Sequence, residues 1–125
     1  MWLQFLFENI ELNDGENIFS SVAIKDKTGS SENSSPIIVI YDNKSPELTI
    51  TNPQEDNLKV ESSDFDIIGK SEKGVSVSVN GRVAVVDNDG NFKIKMQLNA
   101  GKNDIEIVVK DLALNETVKK ISITY

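Results

Sequence analysis

The stretch Val75–Leu98, VSVSVNGRVAVVDNDGNFKIKMQL, decides the fold. Valine alternates with serine up to Asn80-Gly81, and Phe92, Ile94, Met96 and Leu98 alternate with Lys93, Lys95 and Gln97 after Asp89-Gly90. A period of two with one apolar face, broken by Asn-Gly and Asp-Gly, is the signature of a half-buried antiparallel meander. Parity then chooses between loop lengths. A two-residue Asn80-Gly81 loop would pair Val77 with Ala84 and turn Val83 and Val85 away from Val75 and Val77. A three-residue loop, Val79-Asn80-Gly81, pairs Val77 with Val83 and Val75 with Val85, so that all four valines share a face. Because a one-residue slip inverts every side chain, the three-residue loop is preferred, with Gly81 in the left-handed position. At the second turn a two-residue Asp89-Gly90 loop pairs Val85 with Ile94 and Val83 with Met96. Both assignments assume that the two hairpins lie in one sheet.

Working outward, Glu47–Pro53 reads as an extended run, Asp64–Lys70 as a strand with Phe65 and Ile67 on one face, and Lys102–Lys110 as a strand with Ile105, Ile107 and Val109 inward. The last strand, Thr117–Tyr125, changes phase at Lys119-Lys120, which predicts a β-bulge. The expected core is Leu48, Ile50, Phe65, Ile67, Val75, Val77, Val83, Val85, Phe92, Ile94, Met96, Ile105, Ile107, Val109, Ile121 and Ile123. Ahead of the junction Asp42–Pro46, three strand candidates run from about Leu3 to Leu12, Asn17 to Lys25 and Ile37 to Tyr41.

The two ends of the chain repeat each other. Leu12-Asn13-Asp14-Gly15-Glu16-Asn17 matches Leu98-Asn99-Ala100-Gly101-Lys102-Asn103, Lys25-Asp26 matches Lys110-Asp111, and Tyr41 matches Tyr125, at an offset drifting from 86 to 84. Gly15 and Gly101 stand where a positive φ is expected. Asn17 and Asn103 are placed to bond loop amides with their short side chains. The expected division is residues 1–44, the last three strands of a truncated repeat, and residues 45–125, a complete repeat able to fold alone. Three strands leave an apolar face without a partner. Leu6, Ile10, Leu12, Phe19, Ile24, Ile38 and Ile40 would meet water, so either residues 1–41 are loosely ordered or, the favoured outcome, two chains cover each other's faces as a homodimer through the half repeat.

Composition narrows the function. The 125 residues carry a formal net charge of −7, dispersed along the chain. Such a surface repels phosphate backbones and anionic lipid, so no nucleic-acid partner and no membrane insertion are expected. The apolar N-terminus has no Lys or Arg ahead of it and no small-residue cleavage site, and is not read as a signal peptide. There is no cysteine and no histidine, which removes disulfides, thiolate chemistry, the commonest general base and the commonest transition-metal ligand. Asp87-Asn88-Asp89-Gly90-Asn91 resembles the start of a calcium loop, but the sixth and twelfth positions counted from Asp87 are Phe92 and Leu98, where an EF-hand needs glycine and glutamate. Asp42, Asp87 and Asp89 remain as candidate calcium ligands; the expectation is plain turns, no metal and no cofactor. Asn33, Asn43 and Asn115 head glycosylation triplets. A glycan site needs exposed aromatic platforms, yet Phe65 and Phe92 fall on the apolar face and Trp2 lies at the extreme end.

The ordered set Pro46-x-Leu-Thr-Ile-Thr-x-Pro53, Phe65-x-Ile-x-Gly69, Val77-x-Val-Asn-Gly81, Asp87-x-Asp-Gly-Asn-Phe92 and Leu98-x-x-Gly-x-Asn-x-Ile105 resembles the bacterial immunoglobulin-like modules related to domain B of glucodextranase. Leu114 departs from that pattern, which has glycine before Asn115. The resemblance implies an all-β fold, an immunoglobulin-like antiparallel β-sandwich of about seven strands, found as one unit of an exported or cell-surface bacterial or archaeal protein. It implies no catalytic residues, and so not an enzyme. The expected role is a structural spacer or presentation module in a tandem array, partnered by neighbouring repeats. The alternative is a glycan- or cell-wall-binding accessory module of a carbohydrate-active enzyme or adhesin.

Overall fold

Asn80 and Gly81 both take positive φ, 46° and 78°, as the two central residues of a type I′ hairpin turn must. This decides the register of the central meander. The computed structural model describes residues 5–125, and every strand in it pairs antiparallel except one short edge. In chain order the strands are β1 (Gly15–Phe19), β2 (Ile24–Lys25), β3 (Gly29–Ser30), β4 (Ile37–Tyr41), β5 (Leu48–Asn52), β6 (Leu58–Lys59), β7 (Asp64–Ser71), β8 (Ser76–Val79), β9 (Arg82–Val86), β10 (Asn91–Gln97), β11 (Lys102–Lys110) and β12 (Glu116–Thr124). The chain divides into two compact units, Met1–Asn43 and Lys44–Tyr125.

The second unit is an immunoglobulin-like sandwich. One layer runs β5-β7-β10-β9 and the other β9-β8-β11-β12-β6, so β9 is the strand that passes from layer to layer. Its inward residues are not those that parity within a single sheet selects. Val77 pairs with Ala84 and Val79 with Arg82 across the two-residue loop. Val79 and Ala84 are therefore buried, while Val83 and Val85 are 78% and 85% exposed. The preference for a three-residue first loop is overturned, because Asn-Gly closes the shorter turn without strain and β9 needs only a small inward residue where it changes layers. The second turn is corrected in the opposite sense. Phe92 pairs with Val86 and Lys93 with Val85, which makes the loop Asn88-Asp89-Gly90, with Gly90 at φ 87°. The β9–β10 ladder is short, and beyond it the Arg82 guanidinium donates to the Lys95 carbonyl at 3.1 Å, bridging the gap as the strands part.

Between the layers lie Ile67, Val77, Val79, Ala84, Phe92, Ile94, Met96, Leu98, Ile105, Ile107, Val109, Ile121 and Ile123, with Leu48, Ile50, Val60, Phe65, Val75 and Val86 packed around them. The Phe92 ring lies over Gly69, where an added Cβ would stand 2.5 Å from its Cζ. That explains a glycine inside a strand opposite an aromatic residue. The β11–β12 ladder runs in unbroken register from Lys102–Thr124 to Lys110–Glu116, so the bulge expected at Lys119-Lys120 is absent. Lys119 shares the face of Ile121 and Ile123 but is exposed. The irregularity lies instead in β5, between Ile50 and Asn52, where Thr51 Oγ1 donates to the Ile68 carbonyl at 3.2 Å.

In the first unit β1 pairs with β4 and β2 with β3. Residues 5–12 form no strand, against the expected Leu3–Leu12; Leu3 lies outside the described residues. By the repeat, this segment corresponds to β10, whose ladder partner is β7, and among the described residues ahead of Leu12 nothing offers a matching edge. The expected Asn17–Lys25 strand is split as well. Ser34 Oγ and Ser31 Oγ accept from the amides of Ser21 and Ala23 at 3.0 and 2.9 Å, putting hydroxyls where ladder carbonyls would stand.

Candidate functional site

The polar residues with defined geometry are mostly loop clasps built from Asp and Asn. Asp87 opens the β9–β10 loop, and its Oδ1 accepts from the amides of Asp89 at 2.9 Å and Asn91 at 2.8 Å. Asn91 Nδ2 donates to its Oδ2 at 3.0 Å. Asp111 repeats the device at the β11–β12 loop, accepting the Asn115 amide at 2.9 Å and Asn115 Nδ2 at 3.0 Å. Hydrogen bonds to the charged form hold both carboxyls below their usual value, chiefly from the Asn91 side chain for Asp87 and the Asn115 side chain for Asp111. Asp89, one of the expected calcium ligands, lies within the first loop. Asp42 directly follows β4 in the other unit. Among the described residues no group of three or more acidic side chains is gathered to hold a metal ion.

A third clasp marks the repeat. The Asn99 amide donates to Asn103 Oδ1 at 2.8 Å, and Asn103 Nδ2 returns to the carbonyls of Asn99 and Gly101 at 2.9 and 3.0 Å. In the first unit the Asn13 amide donates to Asn17 Oδ1 at 2.8 Å, and Asn17 Nδ2 returns to Asn13 and Gly15 at 2.7 and 3.1 Å. Gly15 and Gly101 share a positive φ, 91° and 95°. Gly101 exchanges backbone bonds with Tyr125 at 2.8 and 3.0 Å, and Gly15 stands opposite Tyr41.

One open groove of about 440 Å³ lies on the second unit, lined among others by Asp56, Asn80, Lys102, Asp104, Glu106, Lys120 and Ser122. Its floor is tied shut. Asp56 Oδ1 accepts the Ser122 amide at 2.7 Å and the Asn57 amide at 2.8 Å, and the Ser122 amide bond is the main cause of its lowered pKa. Asn80 Oδ1 accepts the Glu106 amide at 2.8 Å. On the walls, Lys102 pairs with Asp104 at 3.3 Å and Lys120 with Glu106 at 3.5 Å. Both lysines are thus paired, with the Asp56 carboxylate in excess, and Asp56, which organises the groove, stands 66 positions from its partner in sequence, so spacing carried no signal of it. Phe92 is buried and Phe65 half-buried, so neither forms a sugar platform; Trp2 lies outside the described residues.

Residues 46–125 match the family described as glucodextranase, domain B. The chain belongs to this family. Its glucodextranase domain B signature covers the sandwich, with Gly69 beneath Phe92 and Gly81 and Gly90 in the turns. The chain is 38% identical over 113 residues to Bacillopeptidase F of Bacillus subtilis (strain 168), a match covering 89% of this chain and 8% of that protein's length. Among solved structures, the fibronectin(III)-like modules of Clostridium thermocellum CbhA align over 90% of this chain and 63% of theirs, with a TM-score of 0.52 and 17% identity. That likeness concerns the fold alone.

Proposed function

We propose that the chain is a non-catalytic spacer or presentation module of a larger exported or cell-surface prokaryotic protein. The observation that carries this reading is how the second unit uses its polar groups. Asp87, Asp111, Asn103 and Asp56 each spend their side chains on the protein's own backbone amides, which stiffens the turns, and both lysines of the groove beside Asp56 are paired with carboxylates of its own walls. The small share of Bacillopeptidase F that the chain spans supports a place inside a long polypeptide. The internal repeat supports a tandem arrangement, with a neighbouring repeat as partner. The test is a panel of cell-wall and plant glycans offered to the purified chain. The spacer reading expects no selective binding. Selective binding at micromolar strength, abolished by replacing Lys102 and Lys120 in the groove, would contradict it and establish a glycan-binding accessory module instead.

A further inference from the structure

The outer face of the second unit's β9-β8-β11-β12 layer carries an apolar row that the core does not use. Val77, Val79, Ala84, Ile107, Val109 and Ile121 are buried between the layers, so their neighbours along each strand point outward. Register then lines up Val83 with Ser78, Ser78 with Val108 and Val108 with Val118, straight across the four strands. Val83 is 78% and Val118 49% exposed, and Val108 is half-buried. Two ion pairs frame the row. Lys110 meets Glu116 at 2.7 Å on one side of Val108 and Val118, and Lys120 meets Glu106 at 3.5 Å on the other. Charge therefore alternates around four corners, along the strands as well as across them.

We propose that this face is an interface between two copies of the chain, related by a two-fold axis that lies in the face along the row from Val83 to Val118. The charge pattern identifies the occupant. Turning a copy over about that axis lays the valine row on itself. It also brings Lys110 over the second copy's Glu106, and Glu116 over its Lys120, so that every corner meets the opposite sign. An isologous contact requires such self-complementarity. The chain's net charge of −7 opposes contact between copies elsewhere, whereas two lysines and two glutamates cancel here. Strands about 4.8 Å apart, rising roughly 3.4 Å per residue, give four strands a face on the order of several hundred Å². That is short of the about 800 Å² per partner typical of a stable complex, so the dimer is weak. The inference does not depend on whether the module spaces or binds.

The test swaps charges without removing ion pairs. One full-length variant carries Lys110→Glu with Glu116→Lys, and a second carries Glu106→Lys with Lys120→Glu. Each keeps both cross-strand pairs within the chain, and these pairs are exposed, so folding is spared. Sedimentation equilibrium follows association into the millimolar range. The parent should dimerise. Each variant alone should associate at least about tenfold more weakly, because all four corners then meet like charge. An equimolar mixture of the two should recover the parent's affinity, since every charge again meets its opposite. Val118→Asp, within the row, should weaken the parent dimer as well. A parent that stays monomeric overturns the proposal. So does a dimer that neither swap weakens, as one held through the exposed Ile24 and Ile37 of the first unit would be, or a weakening that the mixture does not reverse.

Discussion

The loops β9–β10 and β11–β12 are built on the same Asp-x-x-x-Asn clasp, yet Gly90 fills the left-handed position in one and Leu114 in the other, at φ 87° and 69°. Holding an L-residue there costs roughly 1–2 kcal/mol. Leu114 is 73% exposed, so its side chain returns little by burial. Leu114→Gly removes the strain, while the greater freedom of glycine in the unfolded chain takes back about 0.4–1 kcal/mol. The net expectation is a gain of about 0.5–1 kcal/mol, or roughly 2–8 °C in Tm for a unit of this size. The reciprocal change should be costly. An added Cβ at Gly90 would stand 2.0 Å from the Ser71 carbonyl oxygen, against a backbone whose Ser71 amide donates to the Gly90 carbonyl at 2.8 Å. Gly90→Ala should therefore lose about 2 kcal/mol or more, the strain plus a displaced hydrogen bond. Urea unfolding of the two variants checks both signs. A Leu114→Gly protein less stable than the parent would refute the reasoning, since Leu114 would then be contributing packing that outweighs its strain.

Phe92→Ala should cost roughly 3–5 kcal/mol, because the ring is 2% exposed and seated over Gly69; a loss under about 1 kcal/mol in denaturant unfolding would remove it from the core. Val83→Thr and Val85→Thr should each stay within about 0.5 kcal/mol, whereas Ala84→Val should cost about 1–3 kcal/mol by overpacking; the reverse order would restore the three-residue first loop. Asp56, Asp87 and Asp111 have folded-state pKa values below the ordinary 3.8. Their contribution is present above that value and is lost as pH falls through the folded values. Tm should thus drop on acidification below about pH 4, and Asp111→Asn should flatten that drop; an unchanged acid limb would show that the clasps carry no linkage.

Much of the second unit was legible because its signals are local. The alternation in Phe92–Leu98 and Lys102–Lys110 gave strands that the structure places at Asn91–Gln97 and Lys102–Lys110. The L-N-x-G-x-N repeat was visible because the same short side chains make the same bonds in both copies. The loop lengths were misread for a physical reason. Valine on both parities of β9 looks like one continuous apolar face only if β8, β9 and β10 share a sheet, and β9 serves two layers. The bulge was assigned to Lys119-Lys120 from a phase change that in fact marks exposure of the start of β12, while Thr51 gave no compositional sign of the true irregularity. The groove around Asp56 rests on partners distant in sequence, which no spacing rule reaches.

The central claim is that Lys44–Tyr125 is a self-sufficient module. The direct measurement is amide hydrogen exchange on that segment alone beside the whole chain, read at Ile67, Val77, Ile107, Val109 and Ile123, all at most 1% exposed. Equal protection in both, with one cooperative unfolding transition for the isolated segment, is the predicted result. Loss of protection when residues 1–43 are removed would contradict it.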